Sequence, residues 1–154
     1  VIRTTEIREA LAALLEKTGV LYITGEDLQQ ERNYEDAVDS AGEDQQILQI
    51  MVELQGSSTF DAGNLSEKSV LVDIAYLCGM DTKRRDIQDM LDNIDSIVRP
   101  FIKVRDRYFT VQDASSNITD SVGHYVFRIS FIDKDSVEVQ EPLADKLFFR
   151  LEEV

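Results

Sequence analysis

The sequence predicts an α+β fold: a twisted, mostly antiparallel sheet of four to five strands, an N-terminal helix and a central helix packed on it, and a short C-terminal helix. Three observations predict it. Apolar residues recur at helical spacing in 7–15 and again in 87–98. They alternate at strand spacing in 48–54, 70–76 and 125–131. The chain is 154 residues long, which fits one domain with a core that needs no staples.

Each element follows from local chemistry. Thr4 and Thr5 are expected N-caps, with Glu6 and Glu9 in a first turn where the helix dipole favours anions. Ile7, Leu11, Leu14 and Leu15, with Ala10, form the buried stripe, and Gly19 is the expected stop because it takes a left-handed backbone freely. Residues 20–23 are apolar and read as a short strand. From Ile47 the period changes to two: Leu48, Ile50, Val52 and Leu54 share a face, opposed by Gln49, Glu53 and Gln55. Gly56-Ser57-Ser58 is expected to break this strand, and Asp61-Ala62-Gly63-Asn64 to form a loop.

In 70–77, Val70, Val72, Ile74 and Tyr76 share one face, while Leu71, Ala75 and Leu77 make the other apolar too, with Asp73 the exception. A strand apolar on both faces belongs inside a sheet or under a partner subunit. The central helix carries Ile87, Met90, Leu91, Ile94, Ile97 and Val98, a stripe worth on the order of 10 kcal/mol when buried, before entropy is subtracted. Pro100 stops it. Two short strands follow at 101–104 and 108–111, then a polar loop, then a strand at 125–132 with Tyr125, Phe127, Ile129 and Phe131 facing the core. Pro142 suits the first turn of a last helix, with Leu143, Leu147, Phe148 and Leu151 as its stripe.

Charge and chemistry narrow the function. A net charge of −14 argues against free nucleic acid or anionic lipid as partners. Glu26, Asp27, Glu31, Glu35, Asp36, Asp39, Glu43 and Asp44 stand against Arg32 alone in 25–46, so seven net negative charges sit in one stretch, expected to be a solvated loop. No apolar run is long enough to span a bilayer. The chain opens on Val1, which fits removal of an initiator methionine or short leader. Cys78 is the single cysteine, which fits a reducing cytoplasm, and at the end of an apolar strand it reads as a small hydrophobe.

His124 is the single histidine; Asp120 and Asp133 flank it, but a turn or strand-start role is the plainer reading. No calcium loop, transition-metal donor set or phosphate-binding glycine loop is present, so no metal, cofactor or catalytic site is expected. Lys83-Arg84-Arg85 is the odd motif. Three cations in a helix's first turn oppose its dipole at about 0.3–1 kcal/mol each, so either the helix starts later, or Asp81 and Asp86 screen them, or they form a docking patch for an acidic surface.

The order of elements resembles the tail terminator and tail-completion proteins of long-tailed bacteriophages, including tail-terminator-like proteins of prophages. The residues that carry the likeness are Ser69-Val70-Leu71-Val72-Asp73-Ile74-Ala75-Tyr76, the helix at 86–98, and Gly123-His124-Tyr125-Val126-Phe127-Arg128-Ile129-Ser130-Phe131. Polar positions at Gln29 or Gln30 and at Gly63-Asn64 also fit, and the likeness spans about residues 5 to 133. The acidic loop at 25–46 is longer than that pattern, and 141–154 forms an extension to a single domain over 1–154.

The resemblance implies a non-enzymatic virion component assembled in the bacterial host cytoplasm. It implies a homo-oligomer, a hexameric ring that caps the tail tube and joins it to the head connector, in contact with other tail and connector proteins. Lys83, Arg84 and Arg85 would then lie on the ring surface, with the acids of 25–46 facing them across subunits or turned to the lumen. The rival reading is an acidic DNA-mimic inhibitor of a nucleic-acid-binding protein, which needs its carboxylates on ordered structure.

Overall fold

The computed structural model describes residues 1–25, 46–60, 65–79 and 81–134. Helix α1, Thr4–Leu15, turns Ile7, Leu11 and Leu15 inward. Its cap differs from expectation. Arg3 is the extended residue before the helix, and the Glu6 carboxylate accepts the Arg3 amide at 2.9 Å, so Thr4 and Thr5 lie inside the first turn. The helix tightens into a 3-10 turn, Glu16–Thr18, and ends at Gly19, whose φ of 83° suits a residue without Cβ. Strand β1, Tyr22–Thr24, follows.

Strand β2, Ile47–Thr59, and strand β3, Leu65–Leu77, pair antiparallel along their length. Gly56-Ser57-Ser58 does not end β2; the ladder absorbs Gln55 in a register shift between Leu54 and Gly56 and continues. Helix α2, Arg84–Val98, buries Ile87, Leu91, Ile94 and Val98. It ends at Arg99, and the Arg99–Pro100 peptide is cis. Strands β4, Phe101–Val104, and β5, Arg107–Thr110, form a separate two-stranded hairpin. Strand β6, Gln112–Thr119, occupies the segment expected to be a polar loop. The long strand β7, Val122–Lys134, then closes the described chain.

The sheet order is β1-β2-β3-β7-β6, with β1 parallel to β2 and the other pairs antiparallel. Among the described residues the fold is thus α+β with a mixed five-stranded sheet and two α-helices; the expected C-terminal helix lies outside the described residues. Strand alternation sorts the two faces. Leu48 and Ile50 of β2, Val70, Val72, Ile74 and Tyr76 of β3, and Tyr125, Phe127, Ile129 and Phe131 of β7 are buried in one cluster with the stripes of both helices. The β4–β5 hairpin joins the same cluster through Ile102, Val104 and Phe109, with the Phe109 ring 4.8 Å from that of Phe131.

Gly123 sets how closely α2 can approach. A Cβ at this position would lie 2.8 Å from Ile87 Cγ2 and 3.2 Å from Leu91 Cδ2, so any side chain pushes the helix off the sheet. Gly123→Ala is expected to cost about 1–3 kcal/mol by overpacking, read as a lower urea midpoint at unchanged slope.

The β6–β7 turn offers the opposite test. Thr119 pairs with Val122, and the two residues between them, Asp120 and Ser121, have φ of 50° and 62°. That is the primed turn whose twist matches a hairpin, and its second position favours glycine. Ser121→Gly removes a Cβ penalty and is expected to raise stability by about 1 kcal/mol in a urea titration.

Candidate functional site

Two surfaces stand out once the core is assigned. The first is the sheet face turned away from the helices. Alternation puts Gln49, Met51 and Glu53 of β2, Leu71, Asp73 and Ala75 of β3, and His124 of β7 on it, around a concavity of about 300 Å³. No described element covers this face. Its lining mixes apolar Met51, Leu71 and Ala75 with polar Gln49, Glu53, Asp73 and His124. The expected second apolar face of β3 is therefore real: β3 lies between β2 and β7, and Ala75 is buried while Leu71 is partly so.

On that face His124 Nδ1 lies 3.1 Å from Asp73 Oδ1. The two strands are paired so that His124 faces Ala75, and the contact is the diagonal one between neighbouring strands. The aspartate is thus Asp73, not Asp120 or Asp133 as sequence proximity suggested. Asp120 is in the β6–β7 turn, and Asp133 is buried near the far end of β7, where it accepts the Ile2 amide at 2.7 Å. No serine or cysteine lines the concavity beside His124. Cys78 is partly buried, its Sγ 3.7 Å from the Ser121 carbonyl oxygen. Among the described residues no group of histidine, cysteine or acidic side chains could hold a metal ion, and no helix is long and apolar enough to cross a membrane.

The second surface is the start of α2. Lys83 has extended backbone and its carbonyl accepts the amides of Asp86 and Ile87 at 3.0 and 3.2 Å, so Arg84 and Arg85 do occupy the first turn. All three cations are exposed, and among the described residues none forms an ion pair. Other cations of this chain are engaged: Arg99 with Asp95 at 3.7 Å, Arg107 with the Ile132 carbonyl at 2.7 Å, and Arg105 with Glu6. Lys83, Arg84 and Arg85 are thus three adjacent exposed cations without an ion pair among the described residues of an acidic protein. The eight acids expected as its counterpart, Glu26, Asp27, Glu31, Glu35, Asp36, Asp39, Glu43 and Asp44, lie outside the described residues.

Sequence reasoning missed two features. Phe101 and Tyr108 form an exposed edge-to-face pair on the outer side of the β4–β5 hairpin, 5.0 Å between centroids, with Lys103 over the tyrosine ring. Tyr125 donates its hydroxyl to Asp95 Oδ1 at 2.5 Å, tying β7 to α2, and burial together with this bond pushes its pKa up. The only sequence signal for the open-face pair was Asp73, a lone acid in an apolar strand.

A family model described as a phage tail terminator protein matches residues 47–141. The chain belongs to the phage tail terminator family. The matched span begins at the first residue of β2 and takes in β3, α2 and β4 to β7, so the open sheet face and Lys83-Arg84-Arg85 both fall within it. Membership makes this protein a structural virion component that interacts with other tail proteins. Helix α1 and β1 lie outside the match yet complete the tail terminator's core. No curated protein matches the chain. One solved structure is 10% identical with a TM-score of 0.45, covering 88% of this chain and 98% of that one.

Proposed function

We propose that this tail terminator forms a hexameric ring that caps the tail tube and joins it to the head connector. The observation that carries the reading is the family match across β2 to β7. Two physical features support it. The net charge of −14, half of it from residues 25–46, repels phosphate, so DNA slides past such a ring without sticking. The partly apolar sheet face gives a neighbouring subunit something to bury. Surface complementarity does the work, and no turnover is required. The ring assembles in the host cytoplasm with its tail and connector partners. The DNA-mimic alternative finds no support in the family match.

Lys83, Arg84 and Arg85 lie at the subunit contact in this reading. Exposed ion pairs contribute only about 0.2–1 kcal/mol each, but a closed ring repeats them at every interface. Light scattering on a sizing column, with negative-stain microscopy, tests the ring. A mass six times 17.5 kDa and annular particles are expected. A strict monomer at every concentration, with tail tubes present or absent, overturns it. Assembly should also weaken in about 1 M salt, where the Debye length falls to roughly 3 Å. Sedimentation at low and high salt reads that directly, and tighter assembly at high salt would place like charges, not opposite ones, at the contact.

A further inference from the structure

We infer that the concavity on the open sheet face is the socket for Lys83-Arg84-Arg85 of a second copy of this chain. The inference rests on the ring reading and names its contact. The lining of the socket carries two carboxylates, Glu53 and Asp73. His124 occupies Asp73 Oδ1 and leaves Oδ2 for another donor, and Glu53 has no ion pair among the described residues. Met51, Leu71 and Ala75 in the same lining suit the aliphatic stems of lysine and arginine, which bury their methylenes while the charged heads reach the carboxylates. A guanidinium adds two parallel hydrogen bonds to a carboxylate, geometry that a lysine cannot reproduce.

The occupant is a second copy because of where the two patches lie. Ile87 and Leu91 of α2 press on Gly123, which faces the helix side of the sheet, whereas neighbouring His124 faces the socket. The cations at the start of α2 are thus on the opposite side of the sheet from the carboxylates they match. One copy's cations meeting another copy's socket is a head-to-tail contact between unlike patches, and contacts of that type generate rings when the rotation closes. The same placement explains why three cations persist where the helix dipole disfavours them.

Charge reversal tests the pairing. One variant carries Glu53→Lys and Asp73→Lys; the other carries Lys83→Glu, Arg84→Glu and Arg85→Glu. Each alone should self-associate at least tenfold more weakly in sedimentation velocity, while an equimolar mixture should co-assemble, because each variant's socket then meets the other's opposite charge. Circular dichroism melts check that both fold. If the lysine substitutions in the sheet prevent folding, Glu53→Gln with Asp73→Asn removes the carboxylates without added charge and should still weaken association. Wild-type rings that are indifferent to both reversals, or reversals that the mixture does not rescue, overturn the socket while the ring stands. A wild type that never assembles overturns both.

Discussion

Ile94→Ala is expected to lower the unfolding free energy by about 2–5 kcal/mol. Ile94 has no exposed surface, lies on the inward stripe of α2, and belongs to the same buried cluster as Phe127 of β7, which is also fully covered. Truncation loses the transfer free energy of three carbons and leaves a cavity between a helix and a sheet. The helix cannot settle to fill it. Gly123 already lets α2 approach until Ile87 and Leu91 meet the backbone, and the Tyr125–Asp95 bond fixes the height of the helix over β7. The cost should therefore fall in the upper half of that range. A loss below about half a kcal/mol in urea melts would show that the site collapses freely, contrary to this packing.

Asp133→Ala is expected to cost on the order of 3 kcal/mol, although it removes no apolar surface from the core. Asp133 is only 5% exposed and gathers donors from three parts of the chain: the Ile2 amide at 2.7 Å, Lys68 Nζ at 3.5 Å and Arg107 Nη1 at 3.6 Å. Ion pairs on open surface contribute little, but here burial removes the water that would replace the lost acceptor. Burial by itself raises the carboxyl's pKa; the Ile2 amide and the nearby cations outweigh it and hold the group below its usual 3.8.

The pH dependence follows from that direction. A carboxyl depressed in the folded state adds stability that is complete above its unfolded value and lost as pH falls through the folded one. The wild type should lose stability below about pH 4, and Asp133→Asn should flatten that acid limb while lowering the plateau. Urea midpoints measured from pH 7 down to pH 2.5 check it. Parallel acid limbs in the two proteins would assign the acid sensitivity to other groups.

Much of the scaffold was legible because its signal is periodic. The stripes of α1 and α2 and the alternation in β3 and β7 require only local spacing, and the residues named from them, Ile7, Leu11, Leu91, Ile94, Val72, Ile74, Phe127 and Ile129, are buried. The family resemblance rested on those same elements, and the match over 47–141 contains the segments at 69–76, 86–98 and 123–131 that carried it. Errors gathered where backbone pairing outweighs side-chain pattern. Strand β6 reads as Gln-Asp-Ala-Ser-Ser-Asn-Ile-Thr, with only Ala114 and Ile118 to turn toward the core, and exists because β7 supplies a ladder for it. The distal half of β2 continues past Gly56 for the same reason, held by β3.

The candidate site was less legible than the fold. Lys83-Arg84-Arg85 could be read directly, because cations at a helix start conflict with a local rule and so demand an explanation. Its proposed socket could not. Gln49, Asp73 and His124 are separated by 24 and 51 positions, and only the antiparallel registry of β2, β3 and β7 brings them to one face. By itself, then, the sequence determined the two described helices, the strands with alternating apolar faces, the charge and the family, since each depends on residues close in the chain. The tertiary structure alone decided which strands are neighbours, which aspartate meets His124, and which sheet face stays open, because cross-strand pairing is set by hydrogen bonds between segments that no local periodicity connects.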